Sequence, residues 1–191
     1  ETDSGKAFTN PIAAISIGPQ NLNESTQSGC TIAIGYQAAA LGTDHRHSII
    51  MGFCAAYGVS GCTGGTGNII MGSDAAKCLR TGSCNIALGY SAGKSLTGGN
   101  NNILIGKNAG CSFTGGYNNI AIGLNAAKSP GSGGYYNIAI GVGALEGGSS
   151  NLDNIVIGRN AGPGPLAGSD NYMNFIAGHY AGFCYANARC N

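Results

Sequence analysis

Charge is the scarcest commodity in this chain of 191 residues: charged side chains make up 9%, eight acidic against nine basic, for a formal net charge of +1. That balance offers no electrostatic footprint for nucleic acid or for an anionic membrane. No run of about 18 apolar residues is present, which excludes a membrane-spanning helix, and no signal-peptide pattern is found. The chain begins at Glu1 rather than methionine, and the expectation is a processed or excised segment. Glycine is abundant, 35 residues, but lacks a three-residue period, which excludes collagen.

Catalytic signatures are missing as well. The three histidines, His45, His47 and His179, have no supporting carboxylate at a recognisable spacing, and no serine stands in a nucleophile elbow. A hexapeptide period, as in acyltransferase solenoids, is absent, and threonines form no ladder of the ice-binding kind. His45 and His47 alternate as on one strand face, yet no third ligand shares their column, so a solvated loop is the better reading than a metal site. The glycine-rich stretch 58–67 lacks the Gly-Lys-Ser/Thr ending of a phosphate loop and reads as a surface turn. No calcium nonapeptide is present. No cofactor is expected, and the chain is read as non-enzymatic.

What is present is repetition. Asn119-Ile120-Ala121-Ile122-Gly123 recurs in ten copies, aligned on Gly18, Gly35, Gly52, Gly72, Gly89, Gly106, Gly123, Gly141, Gly158 and Gly178. Most steps are 17 residues, with one of 18 and two of 20. A fixed period in this range marks a solenoid whose coils bury their apolar faces only against their neighbours. The expected fold is all-β, a parallel β-solenoid of about ten coils over residues 12–182, with a polar lead-in at 1–11 and a tail at 183–191.

In stacked coils each alignment column becomes a ladder. Three residues before the glycine stand Ile15, Ile32, Ile49, Ile69, Ile86, Ile103, Ile120, Ile138, Ile155 and Phe175. One before it stand Ile17, Ile34, Met51, Met71, Leu88, Ile105, Ile122, Ile140, Ile157 and Ala177. On a strand of period two these columns share a face, and the expectation is that they line the inside. The residues between them then point outward. Nine of the ten are apolar too, Ser16 being the exception, and among them are Ala33, Ile50, Ile70, Ala87, Leu104, Ala121, Ala139 and Val156. A strand apolar on both faces is covered on both, so this middle column is expected at a homotrimer interface.

Three residues after the glycine, alanine stands in nine of the ten copies, a position for a small side chain only. Before the triplet, Asn68, Asn85, Asn102, Asn119, Asn137, Asn154 and Asn174 predict an asparagine ladder bonded from coil to coil. Cys78 and Cys84 follow Gly72 at the same phase as Cys184 and Cys190 follow Gly178, which suggests one loop staple used twice. Cys54 and Cys62, at a different phase, are expected to close the third coil's loop in a similar way. Each small loop would gain about 2 kcal/mol in the chain-entropy model. Cys30 and Cys111 are more than four coils apart and are left free or bonded to another subunit. Eight cysteines favour an oxidising, extracellular setting over one of free buried thiols. A single N-glycosylation sequon starts at Asn23.

Copies such as Asn137-Ile138-Ala139-Ile140-Gly141 and Asn154-Ile155-Val156-Ile157-Gly158-Arg159-Asn160-Ala161-Gly162 resemble the head repeats of trimeric autotransporter adhesins (YadA-like) and the repeats in tail-fibre shafts of phages and large viruses. The resemblance covers about residues 12–182. It implies a left-handed β-roll, three of which pack about a threefold axis, and a role in surface attachment.

Two functional classes follow. The first is an extracellular fibre or adhesin that binds a cell-surface receptor or glycan. Its candidate contacts are the aromatics at the coil edges, Tyr36, Phe53, Tyr90, Tyr117, Tyr135 and Tyr172, whose alternative role is to cover loop or subunit seams. The second is a structural filament subunit, polymerising end to end as the lead-in of one copy docks on the last coil of the next.

Overall fold

The computed structural model describes residues 14–22, 29–41, 44–58, 64–128, 134–147, 150–162 and 170–182. These residues form an all-β chain without helix, a parallel β-solenoid of about eight turns. Twelve three-residue strands occur: β1 (Ile15–Ile17), β2 (Ile32–Ile34), β3 (Ile49–Met51), β4 (Ile69–Met71), β5 (Ile86–Leu88), β6 (Ile103–Ile105), β7 (Ile120–Ile122), β8 (Ile138–Ile140), β9 (Ser150–Leu152), β10 (Ile155–Ile157), β11 (Asp170–Tyr172) and β12 (Phe175–Ala177). Ten of them, all but β9 and β11, stack as one parallel sheet in chain order. The register is that of the sequence columns, for instance Ile103 on Ile120, Leu104 on Ala121 and Ile105 on Ile122. β9 and β11 pair separately, and parallel bridges join Tyr117, Tyr135 and Leu152 in the same column.

The facing of the sheet is the reverse of the expectation. The middle residues Ala33, Ile50, Ile70, Ala87, Leu104, Ala121, Ala139 and Val156 are wholly buried inside the single chain and are not available to a trimer interface. The flanking isoleucines point out. The reason is volume. A coil of 17 residues encloses a narrow interior that admits one inward side chain per strand, and the repeated alanine after each glycine already takes part of it. Two isoleucine columns side by side do not fit there.

Size complementarity completes the interior. Where the middle residue is Leu104, its methyl groups lie against Gly93 and Gly110, and a Cβ on either would stand 2.8 Å from them. Where it is Ala139 or Val156, the corner residue of the same coil is Leu145 or Gly162 in turn. Leu79, Leu96 and Phe113 fill the opposite wall in successive coils.

Left-handed residues turn each coil: in the central one they are Asn118, Gly123, Asn125 and Ala127, with φ of 57°, 135°, 56° and 50°. Gly123 shows why its column is invariantly glycine. A Cβ there would run into the carbonyl of Gly141 in the next coil, so the two backbones approach closer than any side chain allows.

The asparagine ladder is present and buried. Each asparagine from Asn85 to Asn174 donates its Nδ2 to Oδ1 of the asparagine one coil back, at 2.9 to 3.2 Å. Its backbone N–H joins the same oxygen at 2.9 to 3.1 Å. The second amide hydrogen of Asn68, Asn85, Asn102 and Asn119 bonds a glycine carbonyl of the following coil at 2.7 to 2.9 Å. In Asn85, Asn102 and Asn119 the side-chain oxygen and both amide hydrogens are thereby used, at a net gain of roughly 1 kcal/mol per bond.

Candidate functional site

Three surface features carry chemistry beyond the scaffold. The first is the outer face of the ten-stranded sheet. Because the middle column faces inward, two apolar side chains per strand stand outside, and none of these positions is charged. Ile69 is 37% exposed, Met71 40%, Ile155 37% and Ile157 40%, rising to 51% at Ile15 and 64% at Phe175 on the outermost strands. The patch runs the length of the solenoid, whereas apolar patches on monomeric proteins rarely exceed a few hundred Å².

The second feature is the set of edge aromatics, which fall into two rows. Tyr36 and Phe53 stack one coil apart, ring centroids 5.3 Å apart, and Tyr117 stacks on Tyr135 at 5.5 Å. These four rings are partly exposed, so each pair hides one face and leaves the other to solvent. Tyr172 is half-buried in the row of Tyr135 and Leu152. Tyr90 stands apart from both pairs, with Nζ of Lys107 5.8 Å from its ring centroid.

Tyr90 opens the third feature, a shallow groove of about 470 Å³ along successive coils. Ser91 and Asn108 line it from the corner two residues after the glycine. Lys94, Cys111 and Lys128 come from the position five after it, and Ser95 and Ser112 from the next. Two left-handed corners, at Ser91 and Gly93 in one coil, set this wall off from the sheet face. No lysine was singled out by sequence reasoning. The signal was available: Lys77, Lys94 and Lys128 share one column, and no acidic residue lies between Asp74 and Glu146.

The cysteine staples are corrected. Cys78 and Cys84 are both free, and Cys54 is a free, buried thiol. The chain between Cys78 and Cys84 lies along the coil instead of folding on itself. The Cys78 N–H bonds Lys94 of the following coil, whereas that of Cys84 bonds Thr66 of the preceding one. Cys30 and Cys111 are free as well. Cys62, Cys184, Cys190, the sequon at Asn23, the lead-in and the tail lie outside the described residues.

The two histidines of the third coil diverge. His47 is exposed at φ 55°, while His45 is fully buried with both ring nitrogens lacking a hydrogen-bond partner. Gly64 packs against its ring, and Thr31 donates its hydroxyl to the His45 carbonyl. Burial pushes the His45 pKa down to about 4, against a smaller upward pull from Asp44.

No family model matches the chain, and no curated protein or solved structure matches it either.

Proposed function

We propose that the chain is a segment of an extracellular, non-enzymatic fibre or adhesin, in which three left-handed rolls pack through their sheet faces and serve attachment to a receptor or glycan on a surface. The observation that carries this reading is the uncharged isoleucine and methionine face of the ten-stranded sheet. Covering the exposed two-fifths of one isoleucine contributes roughly 1 kcal/mol. Nine outward side chains of the ten strands, from Ile15 to Phe175, are at least 36% exposed, and together they give on the order of 10 kcal/mol per copy, within the range of the 4–15 kcal/mol cost of association.

A second copy of the same face is the partner that matches it in length, pitch and lack of charge, and the repeat's resemblance to trimeric adhesin heads and tail-fibre shafts favours three copies. The inward middle column moves the contact from the residues first expected there to Ile69, Met71, Ile103, Ile105 and their ladder mates.

A filament subunit is the second reading. β1 and β12 each have one strand neighbour in the sheet, so both outer edges present unpaired backbone groups among the described residues.

Light scattering combined with electron microscopy, under oxidising and reducing conditions, tests both. Compact trimers support the fibre reading and rods of unlimited length the filament. A monomer at milligram concentrations refutes the sheet-face contact.

A further inference from the structure

The groove beside Tyr90 is lined by two lysines, Lys94 and Lys128, and a third, Lys107, stands over the Tyr90 ring. Lys77, one coil earlier in the same column, is paired with Asp74 at 2.9 Å. Lys94, Lys107 and Lys128 form no ion pair among the described residues; the acid next to them in the stack is Glu146, one coil beyond Lys128 in the same column, and no carboxylate stands among the coils of Lys94 and Lys107. Around these ammonium groups stand short neutral groups that both donate and accept: Ser91, Ser95, Ser112 and Asn108. Asn108 gives one amide hydrogen to Asn125 at 3.2 Å, and its side-chain Oδ1 has no partner among the described residues.

We infer that this groove binds an acidic saccharide, a polymer carrying about one carboxylate or sulfate per two sugars. The inference rests on the attachment reading above and names its ligand class.

Charge spacing selects this ligand. Lys94 and Lys128 occupy the same position two coils apart, which places their backbones roughly 10 Å apart at about 4.8 Å per coil. Phosphates along one strand of duplex DNA follow one another every 3.4 Å or so, a density that two or three isolated lysines do not match. A polymer charged once per disaccharide does match it, and its hydroxyls meet the serine and asparagine groups between the charges. Tyr90 supplies an apolar ring for a sugar face, and Lys107 beside that ring extends the row of charge. A neutral glycan would leave the lysines unused.

Fluorescence anisotropy with labelled hyaluronan, keratan sulfate, neutral dextran and single-stranded DNA tests the assignment, on a protein whose assembly state is first fixed by light scattering. Binding to hyaluronan or keratan sulfate is expected, weakening as salt rises, with the better ligand identifying the acid as carboxylate or sulfate. The pair of changes Lys94→Gln and Lys128→Gln is expected to weaken it at least tenfold, and Tyr90→Ala several-fold. Lys77→Gln, which removes an already paired charge, is expected to change it less than twofold. Dextran bound as well as the acidic polymers, DNA bound more tightly than either, or an unchanged affinity in the Lys94/Lys128 variant overturns the proposal. Trimers without saccharide binding sink the groove and leave the fibre reading standing. Monomers that bind saccharide do the opposite.

Discussion

Ile70 and Met71 are adjacent in β4, yet they face opposite sides of the sheet, and this makes the pair a direct probe of what each face does. Ile70 is fully buried between Ile50 and Ala87, its partners in register on the two neighbouring strands. Ile70→Ala removes three carbons from a site that the backbone ladders keep from collapsing, at about 2–5 kcal/mol. Met71 is 40% exposed in the isolated chain. Met71→Lys keeps an apolar stem that reaches solvent, so within one chain it should cost no more than about 0.5 kcal/mol. In a sheet-to-sheet contact the same change places an unpaired ammonium in an apolar seam, at several kcal/mol per copy. The expected outcome is a lowered urea midpoint with assembly retained for Ile70→Ala, and separated but folded subunits for Met71→Lys. Circular dichroism during urea titration reads the first and sedimentation velocity the second. Equal unfolding by both changes would show that the two faces are not divided in this way. A Met71→Lys protein that stays assembled at wild-type strength would remove the sheet face from the interface.

Gly123→Ala is expected to lower the urea midpoint by the equivalent of about 1–3 kcal/mol or more, because φ of 135° and the Gly141 carbonyl both oppose a Cβ. Gly98→Ala is its control, since a Cβ there meets only the Thr81 hydroxyl at 3.3 Å. His45 makes the third coil acid-sensitive. Its folded pKa of about 4 lies below the 6.5 of an ordinary histidine, so the unfolded chain binds the proton first and stability falls as pH drops from about 6.5 toward 4. The loss approaches about 3 kcal/mol below pH 4 and is absent above pH 7. His45→Asn should flatten this dependence in denaturation midpoints measured from pH 4 to 8, and an unchanged slope would refute the assignment.

The period, the strand positions and three of the ladders were legible because they are statements about spacing, and stacking preserves spacing. Asn119, Gly123 and Ala126 each recur in column after column, and each proves to be a buried amide, a close backbone approach or an inward small side chain. Facing was not legible from alternation. When Ile120, Ala121 and Ile122 are all apolar, a period of two divides the columns into sets without saying which set is inside. Two clues resolve it. The middle column is mostly small or moderate in size, as a narrow interior requires, and the asparagine column stands two residues before it, on the same side of an extended chain. A buried asparagine therefore carries the middle column inward with it. The cysteine phase misled for a related reason: equal spacing in two coils shows equal positions on the coil, which is a relation between coils and not a contact within one.

The groove was hidden because its members are near only in the third dimension. Lys94 and Lys128 are two repeats apart, and each reads as an isolated surface lysine until the coils are stacked. The aromatic edges show the converse. Tyr36 and Phe53 have the phase of a binding row, but at one coil of separation flat rings stack on each other, and half of their surface is spent on that contact. Tyr90 escapes this fate because Ser73 and Lys107 flank it in its column, and neither offers a flat ring. In a solenoid a residue's function is thus set by its ladder neighbours one coil away. Identical neighbours close a column into structure, as the asparagines do. Unlike neighbours leave side chains open to a ligand, as Tyr90, Lys107 and Leu124 do in the column where the ring, the charge and the aliphatic chain follow one another. The searchable signal is a break in a column's regularity, as where Tyr90 stands between Ser73 and Lys107, or where Lys94 and Lys128 stand on either side of Cys111.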